Sequence, residues 1–270
     1  MVRGRRSGLV GVLVAFAFVA APVRADAPAD PDRFDTVVID PGHGGEDEGA
    51  RAHGLVEKEL VLDVSRRLAA QLRGAGLRVV LTRDEDRRIP LETRTFRAND
   101  ARGDLFVSVH ANSSAVRSAR GVETYFMALE ASDADAERVA ARENRAFAGE
   151  GAAPAAIDPL AAILGDMRSN EHLRDSDEFA RLVQAELGRV PDARSRGVRQ
   201  APFVVLMNVQ MPASLVEIGF ISNQEDARDL ARSERRDEIA KALARAVIAF
   251  GDRYDARRGV EPEPGSPGGS

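Results

Sequence analysis

The sequence predicts an α/β fold: a single domain whose central, largely parallel, twisted sheet is flanked by helices, with one helical insertion. The main observation is an alternation of short apolar, β-branched segments with longer segments of helical periodicity. A second observation is that His43, His110 and Glu217 each lie at or just after the end of a strand-like segment. Because functional groups gather at the carboxyl ends of parallel strands, these residues are expected at one edge of the sheet.

The alternation runs through the predicted domain, residues 34–254. Residues 36–39 form a β-branched run that ends before Pro41-Gly42, and residues 57–72 carry apolar side chains at helical spacing. Gly74 and Gly76 end that helix. The remaining predicted strands are residues 77–81, 105–109, 122–127, 203–206 and 214–218, and the remaining predicted helices are residues 90–101, 132–143, 159–168, 176–187 and 234–250.

The two ends of the chain differ from the middle. Residues 1–25 combine arginines, a short apolar run and a small-residue cleavage site at Ala25, which predicts a signal peptide and export to the periplasm. Arg5-Arg6 is compatible with the twin-arginine route as well as the Sec route. Residues 26–33 are predicted to be a linker and residues 255–270 a disordered tail. No stable membrane span is expected after cleavage.

Composition excludes several classes of function. Removal of the four arginines in residues 1–25, which contain no acidic residue, takes the formal net charge from −5 to −9. Such an acidic protein is a poor nucleic-acid binder. The chain has no cysteine, which excludes thiol catalysis, cysteine-ligated zinc and disulfides. We expect a monomer with one sizeable core.

Two histidines and a glutamate provide a plausible metal site. His43 lies in a glycine-rich loop, His110 ends a strand, and Glu57 opens the next helix. Two imidazoles and one carboxylate suit Zn²⁺ and leave a fourth position open. The residues alone leave an ambiguity, because His43 and Glu46 also match the H-x-x-E ligand pair of zinc carboxypeptidases.

Several motifs in order resemble the zinc-dependent N-acetylmuramoyl-L-alanine amidases, and in particular the division-associated amidases of Gram-negative periplasms. The resemblance covers residues 36–250. It rests on Val38-Ile39-Asp40-Pro41-Gly42-His43-Gly44-Gly45, Gly54-Leu55-Val56-Glu57-Lys58, Arg94 with Ala98-Asn99, Ser108-Val109-His110-Ala111-Asn112, Arg196-Gly197-Val198-Arg199-Gln200-Ala201 and Leu215-Val216-Glu217-Ile218-Gly219-Phe220-Ile221-Ser222-Asn223.

The resemblance implies specific roles. His43, Glu57 and His110 would hold one Zn²⁺ per chain, and Glu217 would be the catalytic carboxylate. The substrate would be peptidoglycan, cut at the amide between N-acetylmuramic acid and the L-alanine of the stem peptide. The resemblance favours Glu57 over Glu46 as the carboxylate ligand. Arg94 and Asn112 are the predicted substrate-binding residues.

The resemblance also concerns residues 131–175, which occupy the place of an inserted helical segment that plugs the active site in division amidases. An activator protein would displace it. Glu143 and Glu150 are the candidates for an inhibitory contact with the metal. Two other hypotheses stay open: a carboxypeptidase-type zinc peptidase acting on wall peptides, and a non-catalytic peptidoglycan-binding protein.

Overall fold

The computed structural model describes residues 33–148 and 167–260, and the side chains of residues 146–148 and 167–169 are not described. The predicted signal peptide, nearly all of the linker and of the 159–168 helix, and the end of the tail lie outside these residues. In chain order the elements are β1 Thr36–Pro41, β2 Arg51–Ala52, β3 Leu55–Val56, α1 Glu57–Gly74, β4 Arg78–Leu81, α2 Leu91–Asp100, β5 Leu105–Asn112, β6 Val122–Met127, α3 Ala134–Ala148, α4 Met167–Leu187, β7 Ser195–Ala201, α5 Val204–Met207, β8 Ala213–Phe220, α6 Gln224–Ala231 and α7 Ser233–Arg258.

The main sheet confirms the predicted fold class. Within the described residues it has the strand order β4-β1-β5-β8-β6-β7. The first four strands are mutually parallel, β6 is antiparallel to β8, and β7 is parallel to β6. The sheet is therefore largely parallel, with two strands of opposite direction at one edge. A small antiparallel pair, β2 and β3, precedes α1.

Helices cover both faces of the sheet, and side chains of the central strands alternate between two apolar clusters. Val37 and Ile39 of β1 pack with α1, α4 and α7, whereas Val38 between them faces α2, α3 and α5. This alternation follows from the two-residue period of a strand. Burial on both faces explains why the central strands are continuous apolar runs.

The structure corrects four local predictions. Residues 203–206 are not a strand: Val204–Met207 is a short helix, because a four-residue apolar run does not distinguish strand from helix. Helix α3 begins at Ala134, and Asp133 is its cap, with Oδ1 accepting from the N–H groups of Asp135 and Ala136. The helix predicted at 176–187 starts at Met167. The final helix continues to Arg258, so residues 255–258 of the predicted tail are helical.

Sequence reasoning missed strand β7 and helix α6. Ser195–Ala201 is an edge strand with the sequence SRGVRQA, and its polar, half-buried side chains carry no apolar alternation. Among the described residues, no helix combines the length and apolar character that crossing a membrane requires.

Candidate metal centre and its family

Four buried side chains converge at the carboxyl end of the sheet. One ligand atom from each of His43, Glu57, His110 and Glu143 lies within 4.8 Å of all the others. Nε2 of His43 is 3.1 Å from Oε1 of Glu57, and Nδ1 of His110 is 3.2 Å from the same oxygen. Two imidazole nitrogens and two carboxylate oxygens at these separations form a donor set that suits Zn²⁺.

The loop after β1 positions His43. The backbone of His43 has a positive φ of 58°. A hydrogen bond between Nδ1 and Oδ2 of Asp47, 3.0 Å long, restricts rotation of the ring. A carboxylate on one ring nitrogen fixes the orientation of the other, here Nε2, toward the cluster. Two buried arginines hold the loop from below: Arg94 donates to the carbonyls of Pro41 and His43, and Arg83 donates to those of Pro41 and Gly42.

Glu57 is the first residue of α1 and points into the cluster from the helix amino terminus. Its Oε1 accepts from the N–H of Ala111 and its Oε2 from the N–H of Ala50. Gly49 makes room for this arrangement, because a Cβ there would lie 2.7 Å from both Oε2 of Glu57 and Cδ2 of His43. The carboxylate is therefore fixed by backbone donors.

His110 lies on β5 and is fully buried. Its ring packs edge-on to that of His43, with the ring centroids 5.0 Å apart. Gly42 is needed here, since a Cβ would lie 2.4 Å from Cε1 of His110. Backbone geometry on both sides of the cluster thus depends on residues without side chains.

Without a metal ion, the carboxylates hold protons on the imidazoles. Burial lowers the pKa of His110, but the negative charge of Glu143 and the closeness of both carboxylates to Nδ1 outweigh burial and raise the pKa to about 9. The pKa of His43 is raised in the same way, chiefly by Glu57 acting against burial. For Glu57, burial raises the pKa, but the charge of His43 and the closeness of both imidazoles to Oε1 lower the pKa to about 2.

Several atoms of the cluster lack hydrogen-bond partners, which fits a cation. Nε2 of His43 and Oε2 of Glu143 are buried and make no hydrogen bond of acceptable geometry, although they lie 3.2 Å apart. Unsatisfied buried polar atoms are rare and costly in proteins. A cation bound between these atoms would satisfy them, so the residues present fit a metal ion.

Glu217 lies beside the cluster on β8, in register with His110 on β5. It is completely buried, and its Oε2 has no hydrogen-bond partner. Burial raises the pKa of Glu217 well above its usual value, although the positive charge of Arg142 lowers it. A carboxyl group with a raised pKa next to a metal site is suited to moving a proton.

Helix α3 supplies two residues that close the site. Oε2 of Glu143 lies 3.2 Å from Nε2 of His43 and 3.1 Å from Nδ1 of His110. Its neighbour Arg142 reaches Glu217, with Nη2 3.4 Å from Oε1, and also donates to Oδ1 of Asn112. The helix therefore contacts both the metal position and the buried carboxylate.

The other residues selected from the sequence take different places. Arg94 is 1% exposed and bonds Asp40 and backbone carbonyls, so the structure places it under the His43 loop and away from solvent, not where a substrate would contact it. Asn112 is buried between Glu123 and Arg142. Glu46 is exposed and outside the cluster. Glu150 lies outside the described residues.

His53 and His172 lie outside the cluster. His53 is an exposed turn residue within hydrogen-bonding distance of the Ser222 carbonyl, and the His172 carbonyl accepts from Ser176. Arg142 was missed, because an arginine on a polar helix carries no motif. Asp47 was also missed, although a carboxylate four residues after a candidate ligand is a signal for it.

The comparison with known protein families decides the relationship. A family described as N-acetylmuramoyl-L-alanine amidase matches residues 37–249, which is most of the chain. The chain belongs to this amidase family. The match includes both histidines of the cluster, Glu57, α3 and Glu217. The resemblance inferred from the ordered motifs is thereby confirmed.

Individual amidases extend the comparison. AmiC of Neisseria meningitidis is 35% identical over 229 residues, which are 84% of this chain and 55% of the relative. AmiA of Escherichia coli is also 35% identical, over 82% of this chain and 78% of the relative. The solved amidase AmiC2 of Nostoc punctiforme superposes with a TM-score of 0.63 at 30% identity, covering 81% of this chain and 98% of that structure. The chain spans about half the length of the AmiC relatives.

Proposed function

We propose that this protein is a zinc-dependent amidase that hydrolyses the bond between N-acetylmuramic acid and the L-alanine of the peptidoglycan stem peptide. The observation that carries the proposal is the buried convergence of His43, Glu57 and His110 beside Glu217, in a chain of the amidase family. A hydrolytic zinc site typically has three protein ligands and a fourth position for water or substrate. Here that fourth position would open when Glu143 leaves with its helix.

His43, Glu57 and His110 would hold the zinc ion. When bound, zinc supplies Lewis-acid polarisation of the scissile carbonyl and acidification of a water molecule. The protein contributes the fixed geometry: Asp47 orients His43, and the N–H groups of Ala50 and Ala111 fix Glu57. Such outer contacts tune a metal site as much as the ligands do.

Glu217 would act as the general base and then as the general acid. It takes the proton of the attacking water and delivers it to the leaving amine. Burial beside β5 and β6 supports this role, because it raises the pKa of Glu217 well above its usual value and so favours a carboxyl group that can hold a proton. In the present arrangement Arg142 opposes that shift.

We also propose that α3 inhibits the enzyme by blocking this site. Glu143 would occupy the fourth metal position, and Arg142 would cover Glu217 by lying against its carboxyl group. Of the two acidic residues considered from sequence, Glu143 is the one with structural support. Release requires α3 to leave, and we propose an activator protein as the partner that removes it.

The biological setting follows from the same proposal. An amidase with a signal peptide at residues 1–25 would act in the periplasm, in wall remodelling and separation of daughter cells. Arginine and acidic side chains pair widely over the described surface, and we expect a monomer that binds peptidoglycan and no nucleic acid.

Product analysis tests the activity. Purified sacculi are incubated with mature, zinc-loaded protein and with its Glu143→Ala variant, and the products are identified by mass spectrometry. Free peptides that begin with L-alanine, with peptide-free glycan strands, are the expected result. Stem peptides shortened from the carboxyl end would indicate the carboxypeptidase. Absence of product from both proteins, with zinc bound, would indicate a binding protein.

A further inference from the structure

Two arginines on edge strand β7 meet the first turn of α3. Nη1 of Arg199 lies 2.9 Å and 3.1 Å from the two carboxylate oxygens of Asp133. Nη2 of Arg196 lies 3.9 Å from Oδ2 of Asp135. The side chains of Arg196 and Arg199 remain 22% and 18% exposed with α3 in place. The helix that blocks the metal site with Glu143 therefore also places carboxylates on a second, arginine-containing site.

The second site is joined to the first through a buried carboxylate. Glu123 of β6 is in register with Glu217 of β8, accepts from Asn112, and has Oε1 2.5 Å from Nε of Arg196. From β5, which carries His110, to β7 there are three strand spacings, or roughly 14 Å. The α3 backbone from Asp133 to Glu143 rises about 15 Å, so the helix crosses the strand ends from one site to the other.

Departure of α3 would leave this strand face with unpaired positive charge. With the helix docked, Arg196 and Arg199 have three carboxylate partners: Glu123, Asp133 and Asp135. Without the helix, only the single negative charge of Glu123 remains for two guanidinium groups. Arginine binds carboxylates strongly through its rigid fork of donors, so an exposed pair of this kind is suited to an anionic ligand.

We infer that Arg196 and Arg199 form a binding site for a carboxylate of the substrate peptide, which Asp133 and Asp135 occupy while α3 is docked. In this arrangement α3 mimics the substrate at both ends: Glu143 at the metal and the two aspartates at the distal site. The inference rests on the proposed amidase function. The substrate would be an anionic peptide, and contacts between its carboxylate and the two arginines would add binding energy away from the scissile bond.

The separation of the two sites sets where that carboxylate lies. An extended peptide advances about 3.4 Å per residue, so roughly 14 Å corresponds to about four residues. The reach of the peptide's own side chain and that of an arginine shortens this requirement. A carboxylate two or three residues beyond the scissile amide would therefore contact Arg199.

Peptide binding to the zinc-loaded, full-length protein tests the inference. The probe is the tripeptide L-Ala-D-Glu-L-Lys, and the control probe is the same peptide with D-Gln and an amidated carboxyl end. In the double variant Asp133→Asn, Asp135→Asn, we expect calorimetry to show roughly tenfold tighter binding of the acidic peptide, because the competing charges are gone. Asparagine caps a helix as well as aspartate does, so α3 keeps its first turn.

Arg199→Gln, made in the Asp133→Asn, Asp135→Asn background where the competing charges are already absent, is the matching loss variant and is expected to weaken binding of the acidic peptide roughly tenfold. It is preferred to substitution of Arg196, because Arg196 pairs with buried Glu123 and its loss endangers folding. Arg199→Lys keeps the positive charge but loses the paired donors of the guanidinium group, and it is expected to bind the acidic peptide with intermediate affinity. Arg245→Gln, which removes a surface arginine paired with Glu186, is the control and should change nothing.

Equal affinities for the acidic and amidated peptides would overturn the inference, as would no binding by any protein or unchanged binding in Arg199→Gln. Amide hydrolysis of sacculi is measured on the same preparations. Hydrolysis of sacculi with equal affinity for the two peptides would support the amidase function and contradict the distal site. Tighter binding of the acidic peptide without hydrolysis would support the distal site and contradict the amidase function.

Discussion

Oε2 of Glu143 lies 3.2 Å from Nε2 of His43, and neither atom makes a hydrogen bond of acceptable geometry. Nδ1 of His110 lies 3.1 Å from the same oxygen. These atoms surround a candidate metal position, and one of its four ligands, Glu143, comes from the separate helix α3. Under the proposed inhibition, the site would be complete only while α3 is docked and open for chemistry only when α3 has left.

Loss of the Glu143 carboxylate should activate the enzyme. A charged contact of this kind contributes about 1.5–3 kcal/mol, so Glu143→Ala should raise turnover of sacculi roughly ten- to hundredfold by weakening the docked state. Glu137→Ala is the control, since Glu137 is an exposed residue of the same helix. Dye release from labelled sacculi measures the rate, and equal rates for the two variants would argue against inhibition by Glu143.

Zinc binding to the metal-free protein should release protons. The pKa values of His43 and His110 are raised above their usual value, that of His110 to about 9, so both rings carry protons at pH 7 without a metal. Zinc requires neutral imidazoles. Calorimetry in buffers of different ionisation enthalpy should therefore show close to two protons released at pH 7, and zero released protons would contradict this account.

The same shifts predict how the metal-free protein depends on pH. A histidine whose folded pKa lies above its unfolded value stabilises the folded state fully below the unfolded pKa of about 6.5. That stabilisation is lost as the pH rises through the folded value, which for His110 is about 9. The melting temperature of metal-free protein should fall between pH 6.5 and 9, and the zinc-loaded protein should change less over this range.

Asp47 should control zinc affinity without being a ligand. It holds Nδ1 of His43, and loss of such an orienting carboxylate typically weakens metal affinity about 10- to 100-fold. Asp47→Ala should show this loss in competition with a chromophoric chelator. Glu48→Ala removes a neighbouring carboxylate that forms an ion pair with Arg51 and lies outside the cluster, and this variant should bind zinc normally. Similar affinities in both variants would exclude the positioning role.

Arg94 should be required for folding and for the His43 loop. Its buried guanidinium serves the carboxylate of Asp40 and the carbonyls of Pro41 and His43. Arg94→Ala removes the buried cation that pairs with Asp40 and the Arg94 hydrogen bond to the His43 carbonyl, and breaking a buried ion pair costs about 3–5 kcal/mol. Urea unfolding measures the loss, with Arg189→Ala, an exposed arginine, as the control. A change below about 1 kcal/mol would contradict the assignment.

The sequence identified three members of the buried cluster more securely than it located the helices around them. His43, Glu57 and His110 stand in ordered motifs at strand ends, and the parallel sheet brings strand ends together. Arg94 illustrates the opposite case. Its motif marked it as important, but only its burial shows that it serves the backbone of the loop. Strand β7 was not predicted from the sequence, because this edge strand carries mostly polar side chains without apolar alternation.

The contact of Glu143 with the two histidines could be located only from the tertiary structure. The sequence offered two acidic residues in residues 131–175 and no basis for choosing between them. Burial of Val139 and Ala140 on the apolar face of α3 fixes the rotation of the helix, and that rotation aims Glu143 at the cluster. Arg142, one residue earlier, then reaches Glu217.

Anomalous diffraction at the zinc edge, from crystals of the full-length protein with zinc, tests the central claim most directly. The account predicts one zinc ion bound by Nε2 of His43, a carboxylate oxygen of Glu57, Nδ1 of His110 and Oε2 of Glu143. Absence of zinc from this cluster, or a zinc ion bound by Glu46 in place of Glu57, would contradict it.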